Sequence, residues 1–180
     1  MVTIPPPLEN NSTVKRFVEK FGDALQEVVY FQGETTLVVE KGRILEFCQF
    51  ARGDDALQFD SLADLTGVDR MPGEPRFEVN YHLLCLSRAE RLRLKVRISE
   101  KDGKVTSVTS VWPTANWHER EVFDLFGIVF ENHPNLRRIL CPDEWNGHPL
   151  RKDYPMLGYE EAAPSPEPPT KRGWYSTLSD

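Results

Sequence analysis

Between Arg91 and Ser99 the chain alternates without a break: Leu92, Leu94, Val96 and Ile98 are apolar, whereas Arg91, Arg93, Lys95, Arg97 and Ser99 are polar. Successive side chains of an extended strand point to opposite faces, so this stretch predicts a strand with one dry face and one wet face. Its wet face is strongly basic and must meet water or an acidic partner. Its dry face needs cover, and the remaining sequence has to supply it.

Helices and further strands are legible on both sides. A helix is expected to begin near Ser12 or Thr13, with Val14, Phe17, Val18 and Phe21 on one face and Gly22 at its end. Val28–Phe31 and Thr36–Val39 flank Gly33-Glu34 as a hairpin. Residues 42–51 carry an apolar stripe of Ile44, Leu45, Phe47, Cys48 and Phe50, closed by Gly53-Asp54-Asp55. Leu57–Leu65 is expected as a strand ending in a Thr66-Gly67-Val68-Asp69 turn. Phe77–Leu86 is expected as another, with Phe77, Val79, Tyr81 and Leu83 alternating with Glu78, Asn80 and His82. After the basic strand, Asp102-Gly103 turns the chain, Val105–Val111 forms a short strand, and a helix follows Pro113. This order predicts an α+β two-layer sandwich with a mostly antiparallel or mixed β-sheet and helices on one face.

The domain boundaries follow from the same pattern. Residues 1–11, with Pro5-Pro6-Pro7, read as a flexible leader and residues 12–127 as the α+β domain. Residues 128–158, rich in Pro, His, Arg and Trp without a sustained period, read as an ordered loop region. Residues 159–180 read as an extended Pro-rich tail, disordered alone; its Trp174 and Tyr175 could lie along a partner.

Composition narrows the function. With 22 Lys and Arg against 28 Asp and Glu, the net charge of −6 argues against a nucleic-acid partner, which needs a basic surface. The three cysteines, Cys48, Cys85 and Cys141, are scattered and odd in number, as expected of a reducing compartment. No signal peptide is expected, because Met1–Pro7 lacks a basic start and an apolar core. The longest apolar stretch near the middle, Leu125–Phe130, is far short of the roughly 20 residues a membrane span requires, so membrane association is expected only through partners.

Residues 112–148 hold His118, His133 and His148, and also Trp112, Trp117 and Trp145. On its own, the helix there has a structural account. Asn116 and Glu119 have capping-box spacing, Arg120 and Asp124 are four apart on a charged face, Val122, Phe123 and Phe126 form the buried side, and Gly127 ends it. A metal site would draw on His118, His133, Cys141 and His148, but these lack the close pairs of zinc motifs, and two of the histidines precede prolines as turn builders do. Acid–base catalysis by His118 with Glu119 and Glu121 is disfavoured because adjacent helical residues diverge, and no nucleophile elbow is present. Neither a glycine-rich nucleotide loop nor a Cys-x-x-Cys pair is present, so no flavin, nicotinamide or cluster is expected on this chain. Paired charges interleaved with aromatics remain, the composition of interaction surfaces.

Two stretches carry a family resemblance. Glu119-Arg120-Glu121, Asp124, His133 and Arg137-Arg138-Ile139, at these spacings, resemble the signature of the thirty-kilodalton family of respiratory complex I, its C-subunit. Gly147-His148-Pro149-Leu150-Arg151-Lys152-Asp153-Tyr154-Pro155 is also typical of that family. The resemblance implies a structural subunit of the peripheral arm of a proton-translocating NADH:quinone oxidoreductase, on the cytoplasmic face of the bacterial inner membrane. It implies docking chiefly onto the larger D-subunit that helps form the quinone site; because the chain is short after the motif, no fusion to that subunit is expected. FMN and iron–sulfur clusters are implied in partner subunits. Glu119, Arg120, Glu121, Asp124, His133, Arg137, Arg138, His148, Arg151, Lys152 and Asp153 become the expected partner interface. Related membrane-bound hydrogenases and ferredoxin-dependent complexes share such a subunit, and a free-standing histidine-based metalloprotein is the competing class.

Overall fold

The computed structural model describes residues 2–156 and 158. Helix α1 (Ser12–Phe21) leads into a hairpin of β1 (Leu25–Phe31) and β2 (Glu34–Val39), then α2 (Ile44–Gly53). Three longer strands follow, β3 (Ser61–Asp69), β4 (Phe77–Cys85) and β5 (Glu90–Ile98). A short β6 (Lys104–Thr106), helix α3 (Ala115–Phe126) and a short β7 (Val129–Glu131) complete the set.

The alternating strand sits at the middle of a five-stranded sheet ordered β1-β2-β5-β4-β3. β5 pairs antiparallel with β4 and parallel with β2, so the sheet is mixed, and the two hairpin-like pairs flank one parallel join. The register carries a single apolar row across all five strands: Val28, Leu37, Leu94, Tyr81 and Leu65 are successive partners, and all are buried. The cover over that row comes from the helices, α3 lying over β3 and α1 and α2 supplying an aromatic cluster. Phe21 and Phe47 stack with ring centroids 4.2 Å apart, and Phe17 meets Phe50 edge-on at 5.3 Å. Such pairs contribute about 0.5–1.5 kcal/mol each beyond the area they remove from water. Sheet below and helices above make the α+β sandwich that the pattern predicts.

The wet face of β5 finds its acids within the sheet. Arg97 meets Glu27 of β1 at 2.7 Å, Lys95 meets Glu78 of β4 at 3.1 Å, and Arg93 bonds Glu34 of β2. The Arg97–Glu27 and Arg93–Glu34 pairs lie at the surface, where such contacts contribute roughly 0–1 kcal/mol each. The aliphatic stems also leave Glu78 and Asn80 buried, although the alternation of β4 marks them as outward residues.

Helix α1 begins at Ser12 as expected, capped by Asn11, whose side chain accepts from the Val14 N–H at 2.9 Å. Several other expectations are corrected. The predicted Thr66–Asp69 turn is instead the second half of β3, paired with Phe77–Asn80 of β4. Gly67 lies there beneath α3: a Cβ would stand 2.7 Å from the Phe126 ring and 3.1 Å from Val122, so it marks a close approach and no turn. Leu57 and Phe59 are buried in the connection before β3. Of the strand expected at Val105–Val111, only β6 forms, pairing parallel with β7 in a separate two-stranded sheet. The region after Gly127 thus begins with a strand whose Phe130 is buried, as is the preceding Ile128. The leader is anchored, with Leu8 buried and Val2 and Ile4 packed on the core. The tail at 159–180, including Trp174 and Tyr175, lies outside the described residues.

Candidate docking site on the third helix and its loop

Val122 and Phe126 of helix α3 are buried as expected and Phe123 packs on the core, but Glu119, Arg120 and Asp124 of the expected charged face are buried as well. The helix N-cap is Thr114, so Asn116 falls inside the first turn and the expected capping box is not formed. Glu119 turns inward instead: it is fully buried, and its Oε1 accepts from the Val108 N–H at 2.7 Å. Burial raises its carboxyl to about 7, against the lowering effect of the Ser107 hydroxyl and the Val108 N–H.

Asp124 does not pair with Arg120. Its carboxylate is fully buried and accepts from the backbone N–H groups of Ile139 (3.0 Å), Leu140 (2.8 Å) and Cys141 (2.9 Å), with Arg138 Nη1 at 2.7 Å. Burial would push this acid up, yet the three N–H donors and the guanidinium overcome it and hold the group at about 2. Arg120 grips the same loop with the opposite polarity, Nε donating to the Arg137 carbonyl at 3.1 Å and Nη2 to that of Arg138 at 3.3 Å. Arg138 extends the grip, donating from Nη2 to the carbonyls of Trp145 (3.1 Å) and Gly147 (3.0 Å).

The two His-Pro histidines are turn builders, as the dipeptides suggest. His133 Nδ1 accepts from the Asn135 N–H at 3.0 Å, which leaves Nε2–H to donate to the Asn116 carbonyl at 3.2 Å. Burial, with some help from Arg120, lowers the pKa of His133 and favours this neutral ring. His148 Nδ1 bonds the Asp124 carbonyl at 2.9 Å, and its ring lies against Gly127, where an added Cβ would stand 2.6 Å away. Gly127 closes α3 in the left-handed conformation, φ 77°, as its position predicts.

A second cluster fixes the far end of the loop. Arg76, at the head of β4 and almost fully buried, bonds Asp69 (2.9 Å), Glu100 (2.6 Å) and Asp153 (2.7 Å). Arg151 joins Glu100 at 2.6 Å and Asp153 at 3.2 Å. The Lys152 N–H donates to Asp69 at 2.8 Å and its Nζ to the Met71 carbonyl at 3.1 Å. Asp69 is held at about 2: its burial is overcome by Arg76 and by the N–H groups of Lys152 and Met71. The guanidiniums of Arg76 and Arg151 hold Asp153 well below the usual carboxylate range. Asp69, Arg76 and Glu100 do not stand out in the sequence. The one local signal is a lone arginine ahead of an apolar alternation.

Of the residues expected at a partner interface, only Glu121 and Arg137 are exposed with side chains that bond no other described residue. The others are bonded within the chain. His118 lies 3.5 Å from Asp64. Among the described residues, no group of three or more His, Cys, Asp and Glu is placed to hold a metal ion, and no helix is long and apolar enough to cross a membrane.

Fold and loop together define a class: a two-layer α+β domain carrying a C-terminal loop pinned to it by buried charge. Residues 37–160 match the family described as the respiratory-chain NADH dehydrogenase, 30 Kd subunit, and the chain belongs to that family. It is 45% identical over 83% of its length to the NADH-quinone oxidoreductase C-subunit of Geotalea uraniireducens, covering 90% of that protein. It is 48% identical over 87% of its length to the C-subunit of Roseiflexus castenholzii, covering 89% of it. Among solved structures it is similar to a trypsin-resistant Nqo5 fragment (33% identity, TM-score 0.60, 68% of this chain and 98% of that one). It is also similar to a chain of a membrane-bound sulfane sulfur reductase, an archaeal respiratory membrane complex (25% identity, TM-score 0.70, 83% and 87%). Its partners are therefore other subunits of a respiratory NADH-quinone oxidoreductase.

Proposed function

We propose that this chain is a structural subunit of the peripheral arm of a proton-translocating NADH:quinone oxidoreductase. It docks chiefly onto the quinone-site D-subunit and runs no reaction alone. FMN and the iron–sulfur clusters that carry electrons from NADH to quinone reside in partner subunits, and this chain meets the membrane, on its cytoplasmic face, through the assembly. The observation that carries this reading is a surface. Trp117, Leu140, Leu150 and Met156 are all more than half exposed, all on α3 or its loop, and the loop beneath them is held in place by buried ion pairs. Large apolar groups presented on a fixed frame favour a polypeptide partner.

The likeness to the archaeal reductase favours one second reading, an equivalent subunit in a related membrane complex with a different redox partner. Affinity purification of the tagged native chain, followed by mass spectrometry, tests both. Recovery of the quinone-site protein with flavin- and NADH-binding subunits is expected. Recovery of the quinone-site protein without them points to the related complex, and recovery of this chain alone defeats the docking function.

A further inference from the structure

The charges around α3 fall into two sets that differ in what they touch. Arg120, Asp124 and Arg138 spend their bonding capacity inside the chain, on one another's neighbours and on loop backbone. The side chains of Glu121 and Arg137 bond no other described residue and face solvent. Trp117 stands beside them on α3, one turn before Glu121, 64% exposed. The Arg120 guanidinium lies 4.9 Å from the indole ring, and it also grips the carbonyl of Arg137. One buried arginine therefore fixes the exposed tryptophan and the exposed arginine relative to each other.

We propose that the paired charges preform the loop in the free chain, and that the patch they position, Trp117 with Glu121 and Arg137, seats a partner subunit. The inference rests on the docking function above and names the place and chemistry of the contact. The partner presents an apolar slot for the indole, with a carboxylate opposite Arg137 and a basic group opposite Glu121. A rigid tryptophan next to an arginine is the composition of an interface anchor. One exposed charge of each sign, without a wider basic field, fits a polypeptide surface better than a lipid or nucleic-acid phosphate array. Arg120, Asp124 and Arg138 are positioning residues here, acting on the partner only through the patch.

Three forms of the full chain separate the roles, and a fourth, Arg137→Lys, tests rescue. Wild type, Arg138→Ala, and the double variant Trp117→Ala with Arg137→Glu are each purified alone for limited proteolysis and thermal melting. Each is also expressed, tagged, in its native complex for capture. Arg138→Ala is expected to open the loop to protease in the free chain, with cleavage between residues 133 and 156 at least about tenfold faster. The double variant is expected to match wild type in proteolysis and melting while capturing partner subunits about tenfold or more less well. Arg137→Lys should restore most of the capture to a chain that keeps Trp117. Normal capture by the double variant overturns the proposal, and so does a protease-sensitive loop in its free form. A dimeric wild-type chain made monomeric by the double variant assigns the patch to a second copy and also overturns it. Wild type that captures no other proteins of the complex defeats the docking function itself, a distinct outcome.

Discussion

Asp124 and Arg138 meet at 2.7 Å with the carboxylate wholly buried, and this contact joins the last turn of α3 to a loop that has no regular structure. Such a loop cannot rest on its own backbone ladder, so the side chains that satisfy its N–H and carbonyl groups decide its shape. Replacing Asp124 by Ala leaves a guanidinium and three N–H groups without their acceptor. Breaking a buried pair costs about 3–5 kcal/mol. The expected outcome is a loss of that size in urea unfolding of the free chain. A loss under about 1 kcal/mol would mean that Arg120 and the Arg76 cluster hold the loop unaided.

Both ends of the loop also depend on acids that must stay ionised. Asp124 and Asp69 are each lowered from 3.8 to about 2 in the folded chain. A depressed folded value contributes stability above the unfolded value, here about pH 4, and that contribution is lost as pH falls toward 2. Each group contributes on the order of 2 kcal/mol. Acid titration of the free chain is expected to release the 133–156 loop in this window, read by amide exchange. Asp124→Asn should lose much of the acid response, and an unchanged response in that variant would locate the acid sensitivity elsewhere.

Gly127 faces two constraints at once. Its φ of 77° is a conformation that costs an L residue roughly 1–2 kcal/mol, and a Cβ there would stand 2.6 Å from the His148 ring. Gly127→Ala should therefore lose about 2–4 kcal/mol in thermal or urea unfolding. It should also displace His148 from the Asp124 carbonyl, visible as a shift of the His148 ring resonances. An intact His148 environment in the variant would show that the ring is not held by this approach.

These residues also show which parts of the fold are legible locally. The alternation of β5, the hairpin at Gly33, the stripes of α1 and α2 and the Gly127 stop all rest on short-range geometry, and the structure keeps them. The parallel join of β2 to β5 rests on a register between residues such as Leu37 and Leu94, which no local pattern encodes. The same holds for the charges. Arg120 and Asp124 have the spacing of a helical pair, but three N–H groups and an arginine from the loop outcompete one solvent-exposed i,i+4 contact, which contributes only a few tenths of a kcal/mol. Arg76 gathers acids from residues 69, 100 and 153, far apart in sequence, and composition gives no hint of that meeting.

Glu119 makes the opposite prediction to Asp124 from the same helix. Its Oε1 accepts from the Val108 N–H, and Oε2 is buried without a partner among the described residues. An ionised carboxylate in that position is costly, which is why burial raises the group from 4.5 to about 7. A raised folded value means that the folded chain binds more protons than the unfolded one between these two values. The stabilisation of the neutral form is complete below about pH 4.5 and is lost as pH rises through 7, on the order of 3 kcal/mol in all. Chemical unfolding at a series of pH values from 5 to 8 should show this decline. Glu119→Gln keeps an oxygen for the Val108 N–H and cannot ionise, so its stability should stay flat over the same range and exceed that of wild type at pH 8. A variant that declines as steeply as wild type would assign the slope to another buried group.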